Sequence, residues 1–231
     1  MRTNLMRSLA FAALLAAAAC QTAAAPPPSA TSAHIVSAIA DAGRPQADKD
    51  LDADRKPADM LAFAEVTPGE KVGELIPGGG YMTRSFSKAI GPTGKLYLFN
   101  GPAPAGRPLG FQAILDDKTT YPNVSFVQTD FATLASPEPL DLVWTSQNYH
   151  DMHNPGRNLD INAANKAIFN ALKPGGTYIV LDHSAADGVA FNAQLHRIDP
   201  AMVKSEVLAA GFEFVGESNV LRNPADPRDK T

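Results

Sequence analysis

The chain has 231 residues, with 20 lysines and arginines against 24 acids, a net charge of −4 and one cysteine. Mild acidity without any basic block argues against nucleic acid as a partner. With its cysteine at position 20, the body of the protein has no means of forming a disulfide or a thiolate-ligated metal site.

In chain order, MRTNLMRS carries two arginines and no acid, and LAFAALLAAAA then runs apolar up to Cys20. This is a charged stretch followed by an apolar one of signal-peptide length, short for a comfortable membrane span. AAAC (17–20) is similar to the lipobox of bacterial lipoproteins, in which the cysteine is lipidated and becomes the mature N-terminus; Ala17 stands where leucine or valine is more usual. The other reading is a signal peptide cut near residues 23–25, with Cys20 discarded. Gln21 lacks the aspartate that favours inner-membrane retention, so the expected location is the periplasm, on an outer-membrane anchor at Cys20 or as a soluble secreted protein. PPPSATSA (26–33) reads as a tether too poor in large apolar residues to build a core. The expected organisation is a signal over 1–25, a tether over 26–33 and a single domain over 34–231.

Two helices are predicted before the first strand, in SAHIVSAIADAG (32–43) and in DRKPADMLAFAEV (54–66), where Pro57 suits a first turn. The body then alternates. KVGELI, KLYLF, VSFVQ, LDLVW and TYIVLD are short, apolar and rich in β-branched or aromatic residues, as buried strands are. MTRSFSKAI, LGFQAILDD and NAANKAIFNAL have helical spacing, and PTG (92–94) and KPGG (173–176) punctuate helix-to-strand passages. Alternation of this kind predicts a mostly parallel sheet with helices on both faces. DPAMVKSEVLAAG (199–211) predicts a final helix with Asp199 as cap and Pro200 in its first turn, and FEFVGES (212–218) an antiparallel strand pair near the C-terminus.

Function centres on two stretches. ELIPGGGYMTRSF (74–86) is a strand ending near an acid, then three glycines, then a helix, which is how a nucleotide-binding sheet begins. The dinucleotide fingerprint fits poorly, because its third glycine falls on Thr83, and a phosphate loop is excluded for want of G-K-[ST]. NYHDMHN (148–154) follows the fourth strand and offers groups that move protons or bind metal. His183, just past the fifth strand, should face the same crevice. Asp182 and His183 with His150 and His153 could form a nitrogen and oxygen metal site, but no H-x-x-x-H pair supports one and no metal is assigned. His153 and His196 read as solvated or hydrogen-bonded loop residues, and Arg197 as a substrate-binding or, more commonly, an ion-pair group.

VGELIPGGGYMTRSF resembles the first motif of the class I S-adenosylmethionine-dependent methyltransferases. The run RKPADMLAF, PGGGY, NYHDMHN, LKPGG and LHRIDPAMV, in that order, is similar to a group of secreted bacterial methyltransferases. The resemblance implies a Rossmann-like α/β fold with a helical lid at its N-terminal end, and S-adenosylmethionine as cofactor. It implies that Glu74 lies near the methionine end of that cofactor and that Pro77, Gly78, Gly79, Gly80 and Tyr81 pass beneath it. Asp130 would meet the adenine amino group beside Phe131. The second strand should end in an acid that takes the ribose hydroxyls, and here it ends in Asn100; most members also have glycine where Ile76 stands. An amide lacks the charge-assisted hydrogen bond of an acid. His150, with Asp151, resembles the base of small-molecule O-methyltransferases, although Met152 follows where those have tryptophan; His183 is the third catalytic candidate. The implied activity is methyl transfer to oxygen or nitrogen of a small acceptor. The alternatives are a periplasmic ligand-binding protein that keeps the fold without turnover and, ranked last, a metal-assisted hydrolase.

Overall fold

The computed structural model describes residues 31–103 and 105–230. The expected signal, Cys20 and most of the tether lie outside these residues.

Four short helices come first, where two were expected: α1 (Ala33–Ile39), α2 (Gln46–Lys49), α3 (Asp52–Arg55) and α4 (Pro57–Phe63). Pro57 sits in the first turn of α4, as expected, but it also separates α3 from α4, and Lys56 between them takes a left-handed backbone with φ of 43°. Among the described residues, no helix is long and apolar enough to cross a membrane.

The sheet that follows is all parallel, in the order β3-β2-β1-β4-β5. Its strands are β1 (Lys71–Leu75), β2 (Lys95–Asn100), β3 (Val124–Gln128), β4 (Leu140–Ser146) and β5 (Leu172–Leu181). The KPGG stretch bulges out of β5, so pairing with β4 jumps from Leu140↔Leu172 to Leu142↔Thr177. Connections run through α5 (Tyr81–Ile90), α6 (Gln112–Asp116), α7 (Tyr149–Met152) and α8 (Ile161–Ala171). Asp160 caps α8 by accepting from the Ala163 N–H.

Period-2 alternation divides the apolar residues between the two faces of the sheet. Leu98 and Trp144 pack on one face with Leu61 and Phe86; their neighbours Phe99 and Val143 pack on the other with Tyr149 and Ile168. The switch in strand order between β1 and β4 opens a crevice at their C-terminal ends, where ligands of such sheets bind.

The antiparallel pair near the C-terminus is a small hairpin, β6 (Phe191–Asn192) with β7 (Arg197–Ile198), and α9 (Pro200–Ala209) follows it. Asp199 caps α9 through the Ala201 N–H. FEFVGES forms no strand pair. Phe212 is half-buried against Phe169 and Tyr178, but Phe214 and Val215 are both exposed, so the segment has neither a covered face nor a ladder partner.

Candidate functional site

The glycine loop turns sharply at the tip of β1. Gly78 and Gly80 have φ of 60° and 80°, a region glycine enters without steric cost. A β-carbon at Gly80 would lie 2.2 Å from Ile114, whereas at Gly78 or Gly79 it would meet nothing within 4 Å. The loop is therefore wedged at its helix end, and its Gly78 carbonyl packs against Gly110, but the side-chain directions at Gly78 and Gly79 are open. Ile76 has φ of 52°, unusual for a β-branched residue, which explains physically why glycine suits this position.

Glu74 is buried beneath the loop, 3% exposed, and accepts a hydrogen bond from the Thr83 hydroxyl at 2.6 Å. Burial pushes its carboxyl up to about 8, opposed by the Thr83 bond and by Arg84. The front helices are fastened to this loop. The Tyr81 hydroxyl donates to Asp52 at 2.8 Å, Arg84 donates to Asp48 at 2.9 Å, and the Arg55 guanidinium lies 4.9 Å above the Tyr81 ring. Asp52 in turn takes a two-pronged bond from the buried Arg44, which holds its carboxyl below the usual range.

Asn100 ends β2, and its amide donates to the Gly101 carbonyl at 3.2 Å. Asp130 is exposed at the end of the third strand's loop, with one oxygen accepting from the Ala132 N–H, while Phe131 is buried.

The histidine stretch, expected as a loop, contains the single helical turn α7. It is stitched to the glycine loop, because the Asn148 amide donates to the Ile76 carbonyl at 3.1 Å. His150 is 2% exposed and clamped by Asp182 at two points: its backbone N–H donates to Oδ2 at 2.8 Å and its Nδ1 lies 2.7 Å from Oδ1. That pairing puts the proton on Nδ1 and leaves Nε2 as an acceptor. Nε2 lies 3.1 Å from Nδ1 of His196 and 3.5 Å from Oδ1 of Asp151.

These groups border a cavity of about 240 Å³ lined by Gln147, His150, Asp151, His183, Leu195, His196 and Arg197. His183 stands at its rim, with Nε2 3.2 Å from the Gln147 amide; partial desolvation is the main reason it titrates below the usual histidine range. Arg197 is committed elsewhere, in a two-pronged pair with Asp226 at 2.9 and 3.0 Å and in bonds to the Ser184 and Lys230 carbonyls. His153 points away from the cavity to Glu206, 3.1 Å from its Nε2.

No family model matches the chain. Over 125 residues it is 32% identical to UbiE of Pseudomonas aeruginosa, described as a ubiquinone/menaquinone biosynthesis C-methyltransferase, covering 54% of this chain and 46% of that protein. The chain thus spans about half the length of the curated relatives it matches. Among solved structures it superposes on an S-adenosylmethionine-dependent methyltransferase from Aquifex aeolicus with a TM-score of 0.53 and 16% identity, over 73% of this chain and 88% of that one. The fold is that of the class I methyltransferases. The [4+2]-cyclase SpnF is equally similar, with a TM-score of 0.54 and 19% identity over 70% of this chain and 61% of its own, so the methyltransferase fold does not by itself dictate the reaction.

Within the methyltransferase fold, β1 and β4 bring Glu74, Gly78–Gly80, His150 and Asp151 to one end of the sheet. The residues present suit S-adenosylmethionine in three respects. The middle of the glycine loop is open to a ligand, a buried acid lies beneath it, and an exposed acid with an adjoining apolar side chain follows β3. Asn100 is the departure. Sequence reasoning missed Asp48, Asp52 and Arg84, whose pairing spans 29 to 36 residues and has no local signature. It also read His196 as a bystander; the position has φ of 53°, and that turn aims its ring at His150.

Proposed function

We propose that the protein is an S-adenosylmethionine-dependent methyltransferase that acts at oxygen or nitrogen of a small acceptor held in the histidine cavity. The observation that carries this reading is the direct bond from Asn148 to the Ile76 carbonyl, which joins the cofactor-type glycine loop to the turn that presents His150. S-adenosylmethionine supplies, when bound, an electrophilic methyl group open to in-line attack. The protein's own part is to orient the partners and exclude water. The open middle of the glycine loop, Glu74, Asn100, Asp130 and Phe131 would hold the cofactor. For a hydroxyl acceptor, His150 Nε2 would take the proton while Asp182 keeps the ring in its acceptor tautomer. Similarity to UbiE over half the chain supports the reaction class. The apolar run before Cys20 supports an exported or lipid-anchored protein in the periplasm.

The competing reading, a ligand-binding protein without turnover, is favoured by Asn100 in place of an acid. Calorimetric titration of purified protein with S-adenosylmethionine and S-adenosylhomocysteine tests the proposal. One-to-one binding is expected, with His150→Ala retaining it; no heat at millimolar ligand would sink the reading.

A further inference from the structure

Three donor atoms meet at the floor of the histidine cavity in a way that proton relay alone does not require. His150 Nε2, His196 Nδ1 and Asp151 Oδ1 are separated by 3.1, 3.5 and 3.8 Å. A metal ion with bonds of 2.0–2.1 Å in tetrahedral geometry holds its ligand atoms about 3.3–3.4 Å apart, so the trio outlines one face of such a polyhedron. We propose that His150, His196 and Asp151 form a binding site for a first-row divalent transition-metal ion of the zinc type.

Four further features fit a built site. Asp182 receives the Nδ1 proton of His150, the outer contact that fixes the tautomer of metal-ligating histidines. The Asn154 amide donates to the same Asp151 oxygen at 2.8 Å, holding the carboxylate in place and leaving a second lone pair on it. His196 and Gln147, both lining the cavity, have left-handed backbones with φ of 53° and 58°, the kind of strain that persists where side chains must be aimed. The trio leaves its fourth position facing the 240 Å³ cavity, room for water or for an oxygen- or nitrogen-bearing ligand. Two imidazoles and one carboxylate are the donor set of zinc and its neighbours rather than of calcium or magnesium.

The site needs nothing from the glycine loop, but it shares His150 and the cavity with the proposed methyl transfer. An ion on His150 Nε2 occupies the lone pair that proton abstraction would use, so the two roles exclude each other at any moment.

The test is titration of tag-free, chelator-treated protein with Zn²⁺ by calorimetry, and with Co²⁺ followed by visible absorption. One ion per chain is expected, with the intense visible bands of four-coordinate Co²⁺. His196→Ala and the near-isosteric Asp151→Asn should each weaken binding at least tenfold, and Asp182→Asn on the order of 10–100-fold. His153→Ala, which alters a histidine outside the trio, should leave it unchanged. Circular dichroism checks that each variant is folded; His196, with a side chain 54% exposed, tolerates truncation best. Absence of Zn²⁺ binding at micromolar concentrations, or binding that survives His196→Ala and Asp151→Asn alike, overturns the proposal.

Discussion

Glu74 offers the sharpest link between burial and behaviour. Its carboxyl is raised from an ordinary 4.5 to about 8, chiefly by burial. The folded protein therefore keeps a proton that the unfolded chain releases near pH 4.5, and stability falls as pH rises from about 4.5 to about 8. At about 1.4 kcal/mol for each tenfold change in ionisation constant, the loss across this window is on the order of 3–5 kcal/mol. Glu74→Gln keeps an acceptor for the Thr83 hydroxyl and removes the ionisation. Urea unfolding at pH 5, 7 and 9, followed through the fluorescence of Trp144, the chain's single tryptophan and a buried one, measures the effect. The wild type should lose several kcal/mol relative to the variant between pH 5 and pH 9. Parallel pH profiles would refute the reasoning, because they would mean that Glu74 ionises in the fold as freely as in water.

Asn100→Asp should tighten S-adenosylmethionine roughly 5- to 10-fold by calorimetry, since it restores a charge-assisted bond worth about 1 kcal/mol or more; weaker binding would show that the end of β2 does not face the ligand. Ile76→Gly should be more stable than Ile76→Ala by about 1 kcal/mol in urea unfolding, because both remove the same packing and glycine alone accepts the left-handed backbone freely. Equal stabilities would argue that the turn relaxes. Arg197→Ala should lower the urea unfolding midpoint, since it strips Asp226 and the Ser184 and Lys230 carbonyls of a buried donor. An unchanged midpoint would mean these bonds contribute nothing to the fold.

The five parallel strands were legible because each is covered on both faces and so reads as a short apolar run. Helices α5, α8 and α9 were equally plain, the last with its aspartate cap at the position expected, Asp199, whereas the Asp160 cap of α8 was not anticipated. FEFVGES misled because aromatic and β-branched residues suit a strand without specifying a partner for its backbone, and here both Phe214 and Val215 stay exposed. The front of the molecule was harder. Four short helices there are held by a local Arg44–Asp52 pair and by Asp48 and Asp52 reaching Arg84 and Tyr81 of α5 across 36 and 29 residues, and no periodicity encodes such pairs. The same limit applies to the cavity. His150 stood out in NYHDMHN and Asp182, 32 residues on, was grouped with it, but His196, 46 residues away, was read as a loop residue. Their convergence follows from β4 and β5 being adjacent and from the left-handed turn at His196.

The central claim is that the open middle of the glycine loop receives S-adenosylmethionine. Gly79 has an ordinary backbone and open space where a side chain would grow, so Gly79→Val should fold normally while filling the approach to the loop. Paired calorimetric titrations of the wild type and Gly79→Val with S-adenosylmethionine test this most directly. One-to-one binding by the wild type, weakened at least 10-fold in the variant, is the expected result; no binding by the wild type, or equal binding by both proteins, would contradict the account.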